Sequence, residues 1–211
     1  MVPLDYVRDP EAIYSQSFKT IDSLQELQGL DTEIREVAIR IVHACGMADV
    51  VADLRWSDNF VSAGRTALKG GAQIFCDVKS LKNSIMERLL PENAGIRCDI
   101  DREECRERAL REICTRAAAQ VDLWGEQMEG SIIVIGNAPT TLFRLLEYID
   151  NGGARPALII GFPVGFVGAA ESKAELAANP RGVPFMTLMG RRGGTAMAAA
   201  CMNAVAAGLA R

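Results

Sequence analysis

From residue 74 to the C-terminus, short β-prone runs alternate with longer stretches of helical periodicity, and this alternation constrains the fold more than any other feature of the chain. The runs are IFCDV (74–78), GIRCDI (95–100), SIIVI (131–135), ALIIG (157–161) and FMTLMG (185–190). Five strands separated by helices predict a three-layer α/β/α fold on a mostly parallel, doubly wound sheet, since parallel neighbours need a crossover long enough to hold a helix. The runs at 131–135 and 157–161 are apolar throughout, which predicts central strands covered on both faces. Asp31, Glu33 and Gly46 frame a helix over 32–45, and Asp58 and Gly70 frame another. Residues 101–129 place Cys105, Ala109, Ile113, Ala117, Val121 and Met128 at helical spacing, so one long amphipathic helix or two with a bend is expected. The first 70 residues show no clear strand and are read as a mainly helical layer beside the sheet.

A chain of 211 residues, 49% hydrophobic, suits one domain spanning 1–211 around one core. It holds no run of roughly 20 apolar residues, and Met1 to Arg8 lack the layout of a signal peptide, so a soluble, cytoplasmic protein that avoids membranes is expected. The net charge is −4 with basic residues dispersed, which argues against a nucleic-acid partner. Six scattered cysteines with one histidine suggest neither a metal site nor a disulfide framework. An anionic ligand must then be held by a local cluster of arginines.

Three strands run into glycine-rich turns that each open a helix: Gly136-Asn137-Ala138-Pro139-Thr140, Gly161-Phe162-Pro163-Val164-Gly165 and Gly190-Arg191-Arg192-Gly193-Gly194-Thr195. Ligands of open α/β sheets bind at the carboxyl ends of strands, where glycine admits close approach and helix N-termini offer N–H groups. The same turns also serve merely to reverse the chain. Neither the phosphate-loop pattern nor the dinucleotide fingerprint is complete in any of them, which demotes nucleotide binding. Imidazole is the side chain whose ordinary pKa, about 6.5, lies near neutrality, and this makes His43 the first candidate for proton transfer. Arg40 lies three residues earlier on the same helical face within an apolar run, so the pair is read as sitting on a largely buried helix and needing an anionic partner, from substrate or protein. Cys45 points about 200° away from His43, which rules out a thiol–imidazole pair. Asp77 and Glu171 read as cap or turn residues.

The segments DYVRDPEAIYSQSF (5–18), RIVHACG (40–46), FVSAGRTALKGGAQIFCDV (60–78), GNAPTTLF (136–143), GFPVGFVGAAESK (161–173) and GRRGGTAMAAA (190–200) together resemble the precorrin-8X methylmutase family of corrin biosynthesis over nearly the whole chain. The resemblance implies a flavodoxin-like fold, a homodimer with the active site at the subunit interface, and an isomerase that needs no cofactor. Its reaction would move a methyl group from C-11 to C-12 of precorrin-8X or cobalt-precorrin-8, giving hydrogenobyrinic or cobyrinic acid. His43 would be the proton donor. Ser17, Arg40 and Arg116 match family positions that imply contacts to the substrate, and Asn137 and Arg191 join them from the strand-end turns. Residues 79–86 depart from the family pattern, and no substrate contact is carried over from them. A non-catalytic tetrapyrrole carrier is the alternative reading.

Overall fold

The computed structural model describes residues 4–209. Met1–Pro3 and residues 210–211 lie outside the described residues, and with them the ends of the expected 1–211 domain and part of the Met1 to Arg8 segment expected not to be a signal peptide. Strands β1 (Leu54–Trp56), β2 (Ile74–Cys76), β3 (Ile96–Arg97), β4 (Ile132–Ile135), β5 (Leu158–Gly161) and β6 (Phe185–Leu188) form one sheet in the order β1-β6-β5-β4-β2-β3. Every neighbouring pair is parallel except β1 and β6. The two all-apolar runs, now β4 and β5, occupy the centre as expected, and all their residues are buried. The expectation of five strands is corrected to six. β1 escaped notice because three residues, Leu54, Arg55 and Trp56, are too few for their alternation to stand out, and because it is an edge strand that buries only Leu54.

Nine helices cover the described residues: α1 (Pro10–Asp22), α2 (Thr32–Cys45), α3 (Phe60–Lys69), α4 (Lys79–Ser84), α5 (Glu103–Arg111), α6 (Arg116–Trp124), α7 (Pro139–Asp150), α8 (Ala169–Ala178) and α9 (Thr195–Ala206). The two-residue period of the strands divides the core. On β4, Ile132 and Val134 join the apolar cluster that includes α2, α3 and α9, while Ile133 and Ile135 join the cluster formed with α6, α7 and α8. The result is the expected three-layer arrangement. α9 lies against the sheet, and its run of alanines lets α2 pack closely over it. α1 forms an outer cover on α2 and buries only Ile21.

α2 ends where the sequence indicated, with Gly46 at φ 70° closing the last turn through its N–H to the Val42 carbonyl. Asp31 precedes the helix but its side chain makes no capping bond. α3 begins one residue later than Asp58 implied, at Phe60 after Asn59. The 101–129 segment resolves into two helices: Ile113 adopts φ 52°, and Thr115 accepts a bond from the Ala118 N–H to start α6 afresh. No helix among the described residues is long and apolar enough to cross a membrane.

Candidate functional site

The chain places the candidate residues at the carboxyl end of the sheet, in three groups. The first is built on α1 and α2. Glu33, in the first turn of α2, pairs with Arg65, whose guanidinium also bonds the Val205 carbonyl near the end of α9, so α2 runs antiparallel to α9 and delivers its last turn to the carboxyl side. There the Ser17 Oγ lies 2.8 Å from the His43 Nδ1. Arg40 donates to the Tyr14 hydroxyl at 3.3 Å and lies 5.7 Å from the Phe18 ring centre. Tyr14 and Phe18 stack at 4.3 Å, and their centroids stand 5.6 and 5.0 Å from the imidazole. Spacing of three and four residues along α1 puts Tyr14, Ser17 and Phe18 on one face, and that face meets the Arg40–His43 face of α2.

The expectation that the Arg40–His43 pair sits on a largely buried helix is corrected. His43 is exposed and Arg40 half-buried, because the face they share is covered only by α1, while Val37, Ile41 and Val42 point to the core. Cys45 bonds back toward Val42 and Met47 carbonyls, away from the imidazole, as its position on the helix predicted.

The second group lies in the glycine-rich turns. Val164 N–H donates to the Asn137 carbonyl and Gly165 N–H to the Arg191 carbonyl, so the turn after β5 stitches together the other two turns. Gly193 permits this approach: a Cβ there would overlap the Phe162 carbonyl and lie 2.7 Å from that of Pro163. Asn137 and Arg191 are exposed, and the Arg191 guanidinium lies 5.6 Å from the Phe166 ring centre. Its neighbour Arg192 is tied down instead, by Asp49 at 2.6 Å and Asp53 at 2.9 Å. The buried Lys173 ammonium donates to the Arg192 carbonyl at 2.5 Å and so fixes the turn from beneath. Burial lowers its pKa to about 8, with Asp53 acting in the opposite direction. Asp53 also accepts the Met189 N–H through its carbonyl, which links this turn to the segment that follows α2.

The third group surrounds Arg116 in the first turn of α6. Thr115, the cap of that helix, lies 2.7 Å from Thr140 in the first turn of α7. Arg116 pairs with Asp101 at 3.3 Å. A cleft of about 420 Å³ beside it is lined by Arg106, Ala109, Leu110, Cys114 and Arg116. Asp77 proves to be the turn residue expected: fully buried, its carboxylate accepts the N–H groups of Gly136, Asn137 and Ala138 at 3.1, 2.8 and 2.7 Å. Burial raises its pKa while those three donors lower it. Glu171 is exposed in the first turn of α8.

Tyr14, Phe18, Lys173 and Gln120 were not prominent in the sequence. The first two had a signal in their four-residue spacing astride Ser17. Lys173 had one too, as the lone cation of the 161–178 segment, since lysine on a buried face needs a specific acceptor. No group of three or more His, Cys, Asp or Glu side chains able to hold a metal ion occurs among the described residues.

The chain is similar over most of its length to proteins of one family. The family model described as precorrin-8X methylmutase matches residues 12–207. The chain is 50% identical to the precorrin-8X methylmutase of Pseudomonas aeruginosa, covering 96% of this chain and 98% of that one. It is 44% identical to the enzyme of that name from a Sinorhizobium species, covering 98% of each chain. It is 33% identical to the cobalt-precorrin-8 methylmutase of Priestia megaterium, covering 93% of this chain and 87% of that one. Among solved structures, a precorrin-8X methylmutase from Thermus thermophilus superposes with a TM-score of 0.81 at 33% identity, covering 92% of this chain and 96% of the other. The shared sequence extends through both helices that carry Ser17, Arg40 and His43 and through all three strand-end turns, and the chain belongs to the precorrin-8X methylmutase family of isomerases.

Proposed function

We propose that the chain moves a methyl group from C-11 to C-12 of precorrin-8X or cobalt-precorrin-8, with His43 as the proton donor. The observation that carries this reading is the Ser17–His43 contact on an exposed helical face. With Ser17 Oγ accepting from Nδ1–H, the imidazolium keeps that proton and presents the other on Nε2. Nε2 has no hydrogen-bond partner among the described residues. Transfer of the Nε2 proton to the ring C nitrogen withdraws electron density from the conjugated system, the C-11–methyl bond breaks as the C-12–methyl bond forms, and the ring nitrogen then returns the proton to Nε2, so that the product is an isomer of the substrate. The rearrangement is internal to the substrate, so neither a nucleophile nor a methyl donor enters the step.

Arg40, Arg116 and Arg191 supply guanidinium groups for carboxylate arms, with Ser17 and Asn137 as polar contacts. A planar fork suits a carboxylate, and three of them around one end of the sheet suit a ligand with several acidic arms. His43 stands open on a single chain beside the exposed ring of Tyr14. A second copy of the chain in a homodimer encloses the substrate against that face and excludes water from the reacting ring.

The test is to add precorrin-8X to the purified protein and follow the visible spectrum, with sedimentation run in parallel. Many turnovers to hydrogenobyrinic acid by a dimer are expected. Stoichiometric binding without conversion would replace this reading with that of a tetrapyrrole carrier, and an active monomer would remove the interface.

A further inference from the structure

Arg116 is not alone at its end of the sheet. Asp101 stands between it and Lys79: one carboxylate oxygen lies 2.5 Å from the Lys79 ammonium, the other 3.3 Å from the Arg116 guanidinium. These residues come from three elements. Lys79 opens α4 just beyond β2, Asp101 follows β3, and Arg116 opens α6. One buried side chain holds all three in register. Gln120, one turn beyond Arg116 on α6, donates to the Asp77 carbonyl at 2.7 Å and accepts the Asp99 N–H at 3.2 Å. Lys79 and Asp101 each sit two residues past one of those anchors. The group borders the strand-end turns directly, because Thr115 touches Thr140 and Asp77 cradles the 136–138 backbone.

We propose that Lys79 and Arg116 form a clamp for one carboxylate arm of the ligand, and that Asp101 occupies this clamp until the ligand displaces it. The inference rests on the functional reading above and adds to it a cation and a built-in competitor. Three observations support it. The Asp101 carboxylate already demonstrates that the two cations converge on one carboxylate with an oxygen for each. All three side chains are about half exposed, at 59% for Lys79, 43% for Asp101 and 49% for Arg116, so the resident pair is held weakly and can exchange for another anion. The Gln120 anchors keep both cations in place after Asp101 swings out. Lys79 also keeps the Asp101 carboxyl below the usual carboxylate range, so the competitor is charged at neutral pH.

Titration of the protein with hydrogenobyrinic acid, followed by visible absorption, tests the clamp in four forms: wild type, Lys79→Gln, Asp101→Asn and the double variant. Loss of a cation in contact with a carboxylate near the surface weakens binding about fivefold. Loss of the competitor tightens it by about two- to fivefold, and the gain shrinks in the double variant. Both effects diminish as salt is raised. These opposite signs are the signature, since a purely structural ion cluster would lose affinity and thermal stability together in both single variants. Affinities that match wild type, or that weaken in parallel with stability, would overturn the clamp. Normal product binding by the wild type alongside such results would leave the functional reading intact, whereas failure of the wild type itself to bind product would overturn both.

Discussion

Asp77 gives the sharpest test of how the strand-end turns are built. Its carboxylate accepts three consecutive backbone donors, two on one oxygen from Asn137 and Ala138 and one on the other from Gly136. Asp77→Ala would leave all three N–H groups without the buried carboxylate that accepts them. At about 1–2 kcal/mol for each stranded donor, the loss is about 3–6 kcal/mol. For a chain of this size that corresponds to a fall in melting temperature of about 6–24 °C. Asp77→Asn is the informative control. Its amide oxygen can keep the two donors of the 137–138 backbone, but its NH2 group then faces the Gly136 N–H, donor against donor. The cost should be intermediate, about 1–3 kcal/mol. Denaturant unfolding followed by circular dichroism measures both variants, and product titration reports whether the turn bearing Asn137 has moved. Equal stabilities for the two variants, or a loss below about 1 kcal/mol for Asp77→Ala, would refute the cradle.

Two further perturbations probe the turn after β6. Lys173 has its pKa lowered by burial to about 8 from an ordinary 10.5, so between those values the unfolded chain holds a proton that the folded chain has lost. Lys173 therefore contributes a rise of about 3 kcal/mol across that window, opposed by the buried thiols of Cys76 and Cys201, whose raised pKa values make stability fall as the unfolded thiols ionise, and Lys173→Met should remove the Lys173 contribution; parallel pH–stability curves for the two proteins would contradict the burial. Gly193→Ala would drive a methyl group into the Phe162 and Pro163 carbonyls, which are backbone and cannot swing aside. The expected result is a loss of about 2 kcal/mol or more in denaturant unfolding together with weakened product binding, and a stable variant with normal affinity would refute the close packing of the turns.

The sequence revealed the fold where a local signal and the tertiary environment agree. Residues 131–135 and 157–161 are wholly apolar and proved to be the two central strands, and the glycine after Cys45 ends α2 as read. It failed at the edge of the sheet, where β1 needs only one buried residue and gains its identity from antiparallel pairing with β6, more than a hundred residues away. The site was legible in the same uneven way. His43, Arg40 and Ser17 were recognisable as motif positions and do meet in space. Their exposure was misjudged, because an apolar run on α2 says that the helix has a buried face without saying which side chains share it. Nor does sequence separate Arg191 from Arg192: only the fold shows Arg192 held by Asp49 and Asp53 while Arg191 projects over Phe166. Gln120 was invisible for a related reason. A glutamine among alanines reads as surface, and its partners at Asp77 and Asp99 are brought to it only by the sheet.

Replacement of the chain's single histidine tests the central claim most directly, with both turnover and affinity as readouts. In His43→Asn the single-turnover conversion of precorrin-8X should slow by about 10²–10⁴-fold, while the affinity for hydrogenobyrinic acid stays within a few-fold of wild type, since the arginines proposed to grip the acidic arms are untouched. A variant that converts precorrin-8X at the wild-type rate would show that the proton comes from elsewhere and would contradict the account.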